Sequence, residues 1–208
     1  MKAAVRVAAL ALLFVLPLAA LSASARAQDG DTVYGRLGAW VTMSAEAGGG
    51  VALGDPAGDP RGALEVALRA RILDSAGLVL TGQWRPDARS QVIVAADLRP
   101  VFLARFLLNA ESGQQWVDLF VDSICLELGV ALLPLDESLG AALALGLGLD
   151  IPLWLPSRTA EGIFVHLGFR HVYADAADER GPSSGASEST FLAALGVRWS
   201  VGDTTRSY

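Results

Sequence analysis

The sequence is poor in the residues that build disulfides, metal sites and basic surfaces. It has one cysteine, Cys125, two histidines, His166 and His171, and a single lysine, Lys2. One cysteine excludes an intrachain disulfide, and no other cysteine or histidine clusters around it, so we expect no metal site and no cofactor. The 22 acidic residues outnumber the 16 basic ones, and this surplus argues against nucleic acid as a partner.

Long apolar runs are also scarce once the N-terminus is set aside. A short basic region precedes an apolar stretch from Val7 to Leu21, and Ala25-Arg26-Ala27 fits a small-x-small cleavage site. This order is typical of a secretory signal peptide, and a membrane anchor is the alternative. We predict a cleaved signal at 1–27 and one domain at 28–208. That domain has 13 arginines and no lysine against 22 acids, a net charge of −9, and no run of about eighteen apolar residues.

In place of long apolar runs, the sequence has strict alternation. Between Ala142 and Trp154 every second residue is a large aliphatic one, and the residues between them are alanine, glycine, proline and one carboxylate, Asp150. A strand sends alternate residues to opposite faces, so one face is aliphatic and the other nearly bare. The glycines and Pro152 disfavour the alternative, a helix. Small residues suit a narrow lumen and leucines suit lipid, so this stretch predicts a strand of a membrane barrel.

Similar alternation elsewhere brings the predicted strand count to eight. A chain that is exported, apolar and without a membrane helix can satisfy its backbone in lipid only as a closed barrel. We therefore predict an all-β fold, an eight-stranded antiparallel transmembrane up-and-down β-barrel. Pro100 predicts a bulge in the fourth strand, and a change of parity predicts a second bulge near Ser123 in the fifth. The predicted strands are Val33–Ser44, Ala63–Leu73, Leu78–Arg85, Gln91–Leu108, Gln115–Val130, Ala142–Trp154, Ile163–Tyr173 and Thr190–Val201.

An even strand count places both termini on one side of the membrane, which we expect to be the periplasm. The loops after the odd-numbered strands then face outward, and they include the two longest, 45–61 and 174–189. Aromatic residues near the predicted strand ends fit the girdles of such barrels. These aromatics are Trp84, Phe106, Trp116, Trp154, Tyr173, Phe191 and Trp199.

The charged residues of the predicted strands lie on the face opposite the aliphatic one. An eight-stranded barrel is just wide enough inside for side chains to fill it, and charges buried there must be paired. We predict a charge network that plugs the lumen; a charged pore or a catalytic cluster is the alternative. Asp150 is expected to accept hydrogen bonds from inward arginines, with Arg170 and Arg198 as candidate donors. The predicted network comprises Arg36, Glu65, Arg69, Arg71, Arg85, Asp97, Arg99, Arg105, Asp118, Asp122, Asp150, Arg170 and Arg198.

The architecture resembles the small eight-stranded outer-membrane barrels, such as the transmembrane domain of outer-membrane protein A. Gly196, Trp199 and Val201 match the terminal strand signal polar-x-Gly-x-x-aromatic-x-apolar, which is read by the barrel-insertion machinery. Ala194 replaces the polar residue of that signal, and seven residues follow it. The resemblance implies a monomeric outer-membrane protein with a structural or surface-interaction role, whose partners are membrane lipid and the insertion machinery.

Three other functions are alternatives. Lipid A deacylases, also small outer-membrane barrels, carry His-x-Ser near the end of the penultimate strand. Here Tyr173 replaces that serine after His171, and the serines at 183–189 lack the spacing, so we do not expect an enzyme. His171 is expected at the rim, and His166 as a hydrogen-bond partner in the lumen. A small channel is a second alternative. A soluble lipocalin-like barrel, the third, would need the opposite polarity, apolar inside and polar outside.

Overall fold

The computed structural model describes residues 41–54, 60–86, 90–108, 110, 112–134, 139–155, 161–173 and 187–201. In this part of the chain, eight strands form one closed barrel in which each strand pairs antiparallel with its sequence neighbours and the last pairs with the first. The predicted eight-stranded antiparallel up-and-down barrel is therefore confirmed. Its elements are β1 (Val41–Gly54), β2 (Pro60–Ile72), β3 (Ala76–Trp84), β4 (Gln91–Leu98), α1 (Pro100–Leu108), α2 (Gln115–Asp122), β5 (Cys125–Pro134), β6 (Leu139–Trp154), β7 (Gly162–Tyr173) and β8 (Glu188–Val201).

The barrel has two ends, a base and a rim. The base is the end at which β1 begins and β8 ends, and the rim is the opposite end. The predicted signal peptide, Arg36, the first part of the first predicted strand and most of the loop at 174–189 lie outside the described residues. Predicted strands two, three, six, seven and eight agree with β2, β3, β6, β7 and β8 within three residues at each end.

Alternation gives the wall opposite polarities on its two faces. In β2, the side chains of Glu65, Ala67 and Arg69 are buried, whereas Leu64 and Val66 beside them are more than half exposed. The same pattern runs through β3, β6, β7 and β8, so aliphatic residues cover the outside and charged ones fill the inside. A soluble protein has the reverse arrangement, and this one fits lipid outside the wall.

The first strand extends further toward the rim than the sequence predicted. A loop was expected from Ala45, but β1 continues through the glycine run to Gly54 and pairs with β2 and β8 along its length. Glycine is required there by close packing: a Cβ on Gly48 would lie 2.1 Å from the carbonyl oxygen of Ala193 and 2.4 Å from the Cα of Ala194. The run therefore belongs to the wall. The strand ends at Gly54 and not at Ser44, and the extension of the first hairpin into GGGVAL, which the sequence left open as an alternative, is the one found.

Predicted strands four and five were each half wrong. A helix replaces the second half of predicted strand four and the first half of predicted strand five. β4 ends at Leu98 and α1 begins at Pro100, whose fixed φ suits the first position of a helix. The first helical bond runs from the Leu103 N–H to the Arg99 carbonyl at 3.1 Å. Ser123 caps the C-terminus of α2. Neither predicted bulge exists; the residues assigned to them mark the two outer ends of the pair α1 and α2, called here the helical hairpin. Among the described residues no helix is both long and apolar enough to cross a bilayer.

The hairpin fills a gap in the wall at the base, where β4 and β5 are shorter than β6. The Ser123 hydroxyl donates to the Asp150 carbonyl at 3.0 Å and accepts from the Asp150 N–H at 2.8 Å, as a strand residue would. Two residues further on, Pro152 has no N–H, and its carbonyl accepts from the Trp116 indole at 2.9 Å. The exposed edge of β6 is thus satisfied by α2 instead of by a strand.

Candidate functional site

Arg69, which points inward from β2, lies at the centre of the charged interior. Its guanidinium donates to Glu127 at 2.6 Å, to Glu46 at 2.7 Å and to Asp97 at 3.0 Å. These carboxylates come from β5, β1 and β4, so one side chain joins four strands. The Arg69 side chain has no solvent exposure. A guanidinium buried this completely is stable only because its N–H donors are paired with acceptors.

Ion pairs continue from this centre toward the rim and toward the base. On the rim side, Arg170 donates to Glu65 at 2.6 Å and to Glu127 at 2.9 Å. On the base side, Arg71 donates to Asp97 at 2.9 Å. Because Glu127 and Asp97 each bind two arginines, the pairs form one connected network and not a set of separate bridges.

Asp150 anchors the base of the network. It accepts from Arg99 at 2.7 Å and from Arg198, and Arg99 also donates to Asp74 at 2.6 Å. The prediction that Asp150 accepts from inward arginines is confirmed; of the two candidate donors, Arg198 binds it and Arg170 does not. Arg170 lies opposite Gly146 in the ladder, four residues closer to the rim than Asp150, and therefore meets other carboxylates.

His166 links the base of the network to its centre. Its Nδ1 lies 2.8 Å from Asp150, and its Nε2 lies 3.3 Å from a guanidinium nitrogen of Arg69. A guanidinium has no acceptor atom, so Nε2 accepts and Nδ1–H donates to the carboxylate. The expected role of His166 as a hydrogen-bond partner in the lumen is confirmed, and the tautomer with its proton on Nδ1 satisfies both contacts.

The nearly bare inward face of β6 provides the space for these groups. A Cβ on Gly146 would lie 2.9 Å from Glu127 Oε2, and a Cβ on Gly148 would lie 2.5 Å from His166 Cε1. The small residues that marked this strand in the sequence therefore make room for a carboxylate and an imidazole.

A smaller polar cluster closes the rim. Arg85 donates to Glu188 and, at 3.2 Å, to Gln83. Gln83 also accepts from Gln91 and donates to Thr190 at 3.3 Å. All five side chains point inward. The inner face also carries a buried aliphatic cluster that includes Val79, Ile93 and Val172, so the charged network and the rim cluster share the interior with apolar side chains.

Arg105, Asp118 and Asp122, predicted on strands facing the lumen, lie instead on the helical hairpin. Arg105 donates to Asp122 at 2.9 Å and to Asp118, which also accepts from the Ser112 backbone N–H at 2.9 Å. These three residues form a separate hairpin cluster. The assignment to the lumen rested on a strand at these positions, and the helices overturn it.

The two hairpin carboxylates have pKa values displaced in opposite directions. Burial, together with the negative charge of Asp118, raises the pKa of Asp122 to about 6, although Arg105 opposes the shift. At Asp118 burial acts in the same sense, but the Ser112 N–H and Arg105 outweigh it and hold the pKa below the usual value. One arginine therefore serves two carboxyl groups that differ in proton affinity.

The network contains three acidic residues that were not predicted from the sequence: Glu46, Asp74 and Glu127. Glu46 lay in the predicted loop, although its parity matches that of Thr42, which does face inward. Asp74 lay in the predicted turn. Glu127 was left out of the predicted network, although the bulge predicted near Ser123 turned it to the inward parity. The predicted residues that the structure brings into the network or the rim cluster are Glu65, Arg69, Arg71, Arg85, Asp97, Arg99, Asp150, Arg170 and Arg198.

A Ser–His pair that sequence spacing did not reveal lies on the outer face near the rim. His171 and Ser189 are ladder partners on β7 and β8, and His171 Nδ1 lies 2.9 Å from the serine hydroxyl oxygen. Tyr173 packs edge-on against the imidazole, with ring centroids 4.4 Å apart. Glu188, the nearest acid in sequence, pairs inward with Arg85.

The residues of the predicted insertion signal occupy the last strand. Gly196 faces inward, where a Cβ would lie 2.4 Å from the ring of Phe164, and Trp199 and Val201 are exposed on the lipid side. Their recognition by insertion machinery stays a prediction.

The polarity of the whole barrel decides between the classes of barrel considered above. Aliphatic side chains cover the outside of the closed wall, and arginines with their carboxylates fill the inside. The chain is a β-barrel of the outer-membrane type. A lipocalin-like interior is excluded because it would be apolar, and the predicted outer-membrane barrel is confirmed in both its fold and its polarity.

Comparisons with known proteins give similarities of fold at low identity. No protein-family model matches the sequence, and no curated protein matches it. The N-terminal β-barrel domain of Pseudomonas aeruginosa OprF is 14% identical with a TM-score of 0.41, over 76% of this chain and 97% of that one. Neisserial surface protein A is 13% identical with a TM-score of 0.40, over 76% and 97%. Pseudomonas aeruginosa OprG is 10% identical with a TM-score of 0.44, over 78% and 97%.

Proposed function

We propose that this protein is an integral outer-membrane barrel whose own side chains plug its lumen, and whose role is structural or in surface interaction without catalysis. The observation that carries the proposal is the connected ion-pair network around Arg69. It joins strands on all sides of the barrel, and its central side chains are withdrawn from solvent. An open aqueous pore would leave such arginines hydrated and free to move.

Membrane integration is tested by fractionation and by gel mobility. We expect the protein in outer membranes, and we expect the folded barrel to change mobility on boiling, because a closed hydrogen-bonded wall resists detergent. Recovery as a soluble periplasmic protein without such a shift would contradict the proposal.

The plug is tested by reconstituting the protein in planar lipid bilayers. Wild-type protein should show no large steady conductance. A matched variant with alanine at Glu65, Arg69, Glu127 and Arg170 loses two charges of each sign, keeps the net charge and empties the centre of the lumen. It should conduct, provided that it still shows heat-modifiable mobility. A wild-type conductance like that of an open porin would contradict the plugged lumen and favour the alternative function, a channel.

Surface interaction requires that the rim faces outward. Protease added to whole cells should then cut in the 174–189 loop, for example at Arg180, and should spare the hairpin at the base. Arg61, which the sequence placed in the first loop, lies in β2 opposite Ala52 and is a poorer target. Cutting between Ser112 and Gln114 in intact cells would reverse the orientation.

The pair His171 and Ser189 favours a second candidate function, hydrolysis of a lipid ester at the rim. The serine oxygen would attack the ester carbonyl carbon while His171 takes its proton; the alcohol would leave with that proton, and water would release the acid. Among the described residues no carboxylate bonds to His171, so the geometry supports a pair and not a triad. Labelling by a fluorophosphonate that is lost in Ser189→Ala would establish this activity. Equal labelling of both chains would leave a structural cross-strand hydrogen bond.

A further inference from the structure

The outward side of α1 is apolar without interruption. Arg105 is the one charged residue of this nine-residue helix. Ala104, Leu107 and Leu108 are exposed on its surface, the leucines to 73% and 77%. An amphipathic helix facing water turns its polar side outward, and this one does the opposite.

The charged side chains of the two helices turn inward. Asp118 and Asp122 on α2 are buried, and they bind Arg105, which is only 17% exposed at its side chain. Trp116 on the same helix is half exposed. The hairpin thus repeats, with helical periodicity, the inside-out polarity of the barrel wall.

The hairpin is also continuous with the wall. Trp116 donates to the carbonyl of Pro152 on β6, so that its ring lies beside the lipid-facing surface of that strand. Trp154 and Trp199, both exposed, are at the same end of the barrel on β6 and β8. Tryptophan is enriched where lipid tails meet headgroups, so these three rings mark the membrane boundary at the base.

We propose that the outer face of the hairpin, formed by Ala104, Leu107, Leu108 and Trp116, is a lipid-binding surface that contacts the acyl chains of phospholipids in the leaflet at the base. A nine-residue helix is about 14 Å long and does not cross a hydrocarbon core of about 30 Å. The hairpin therefore lies within one leaflet and completes the wall where β4 and β5 stop. This inference rests on the proposed membrane function.

Spin labels at single cysteines test the surface in vesicles of phosphatidylethanolamine and phosphatidylglycerol. Cys125, which is fully buried, is first replaced by alanine. Leu108→Cys then reports on the hairpin, Leu147→Cys on the lipid-facing side of β6, and Arg61→Cys on the aqueous rim. Collision of each nitroxide with oxygen, which concentrates in lipid, is compared with collision with a water-soluble nickel chelate.

We expect the label at Leu108 to behave like that at Leu147, with high oxygen and low nickel accessibility. Nickel accessibility at Leu108 equal to that at Arg61 would place the hairpin in water and overturn the inference. Low accessibility to both reagents would show a protein covering the face, which also overturns it. High nickel accessibility at Leu147 would instead contradict the proposed membrane function itself. Each chain is first checked for heat-modifiable mobility; if Leu108→Cys fails to fold, Ala104→Cys on the same face carries the test.

Discussion

In the barrel wall, every second side chain turns inward, whereas in the helical hairpin the inward carboxylates lie four residues apart. Glu65, Ala67, Arg69 and Arg71 illustrate the first arrangement, and Asp118 and Asp122 the second. Both regions place charge inside and aliphatic groups outside. The surroundings of the molecule therefore determine which face is polar, and the secondary structure determines only which sequence positions lie on that face.

The two regions differ in how completely they bury their charges. Arg69 is fully enclosed with three carboxylates, whereas Arg105 keeps some solvent contact and serves two. Deleting one partner of an enclosed pair leaves an uncompensated charge without water, which costs more than the same change near a boundary. Substitutions in the wall should therefore destabilise more than substitutions in the hairpin.

The largest effect is expected for Arg69→Met. It leaves Glu46, Asp97 and Glu127 facing each other without their shared cation, so unfolding in detergent and urea should show a loss of about 4 kcal/mol. Arg61→Met, on the exposed part of the same strand, is the matched control and should change little. Equal stability of the two variants would mean that the network does not stabilise the barrel.

A somewhat smaller loss, about 3 kcal/mol, is expected for Asp150→Ala. This change removes one carboxylate partner from Arg99 and from Arg198. Both keep a second one, Asp74, at 2.6 Å and 4.0 Å. The double variant Asp150→Ala with Arg198→Met should recover part of the loss, since one of the stranded charges is then absent. Thermal melting followed by gel mobility measures both, and simple additivity of the two changes would contradict this coupling.

In the hairpin, the sharper test is one of pH. The pKa of Asp122 is raised to about 6 by burial, so the folded state holds this proton more tightly than the unfolded chain does. Its contribution therefore favours folding at low pH and is lost as pH rises from about 4 through 6, with a slope of at most about 1.4 kcal/mol per pH unit. Relative to Asp122→Asn, wild-type protein should become less stable across that window. Parallel curves of unfolding free energy against pH would contradict the shift.

The smallest effect is expected for Trp116→Phe. The variant keeps an exposed aromatic ring but loses the N–H that binds the Pro152 carbonyl, at a cost of about 1 kcal/mol. Trp154→Phe, whose ring lies in the same belt, is the control. If both variants lose the same stability, the indole bond does not hold the hairpin to β6.

The same comparison explains which parts of the fold could be predicted. Five strands and most of the lumen residues followed from alternation alone, because period two was sustained over nine or more residues. The helices were missed because their key residues are four apart, and a spacing of four fits both a strand face and a helix face. Phe102 stacks on Phe106, and Trp116 on Phe120, in just this relation.

Local signals for the hairpin were present but were assigned to bulges. Pro100 suits the first turn of a helix as well as an irregular strand, and the change of parity at Ser123 marked a helix end. A fifth strand that begins at Cys125 turns Glu127 inward without any bulge. Partners across the lumen, such as Glu46 with Arg69, depend on how far each residue stands from the base, which alternation does not specify.

Closure of the wall has a consequence for the order of the chain. Val41 and Val201 are ladder partners, and β8 is bonded to β1 as closely as any two successive strands. The sequence of strands is therefore cyclic, and its starting point is arbitrary as far as the wall is concerned. A circular permutant that joins the two ends and opens the chain in the β6–β7 connection would keep every strand between the same two neighbours. Only the place of Gly196, Trp199 and Val201 in the order of synthesis would change, so such a chain would separate what the finished barrel requires from what its assembly requires.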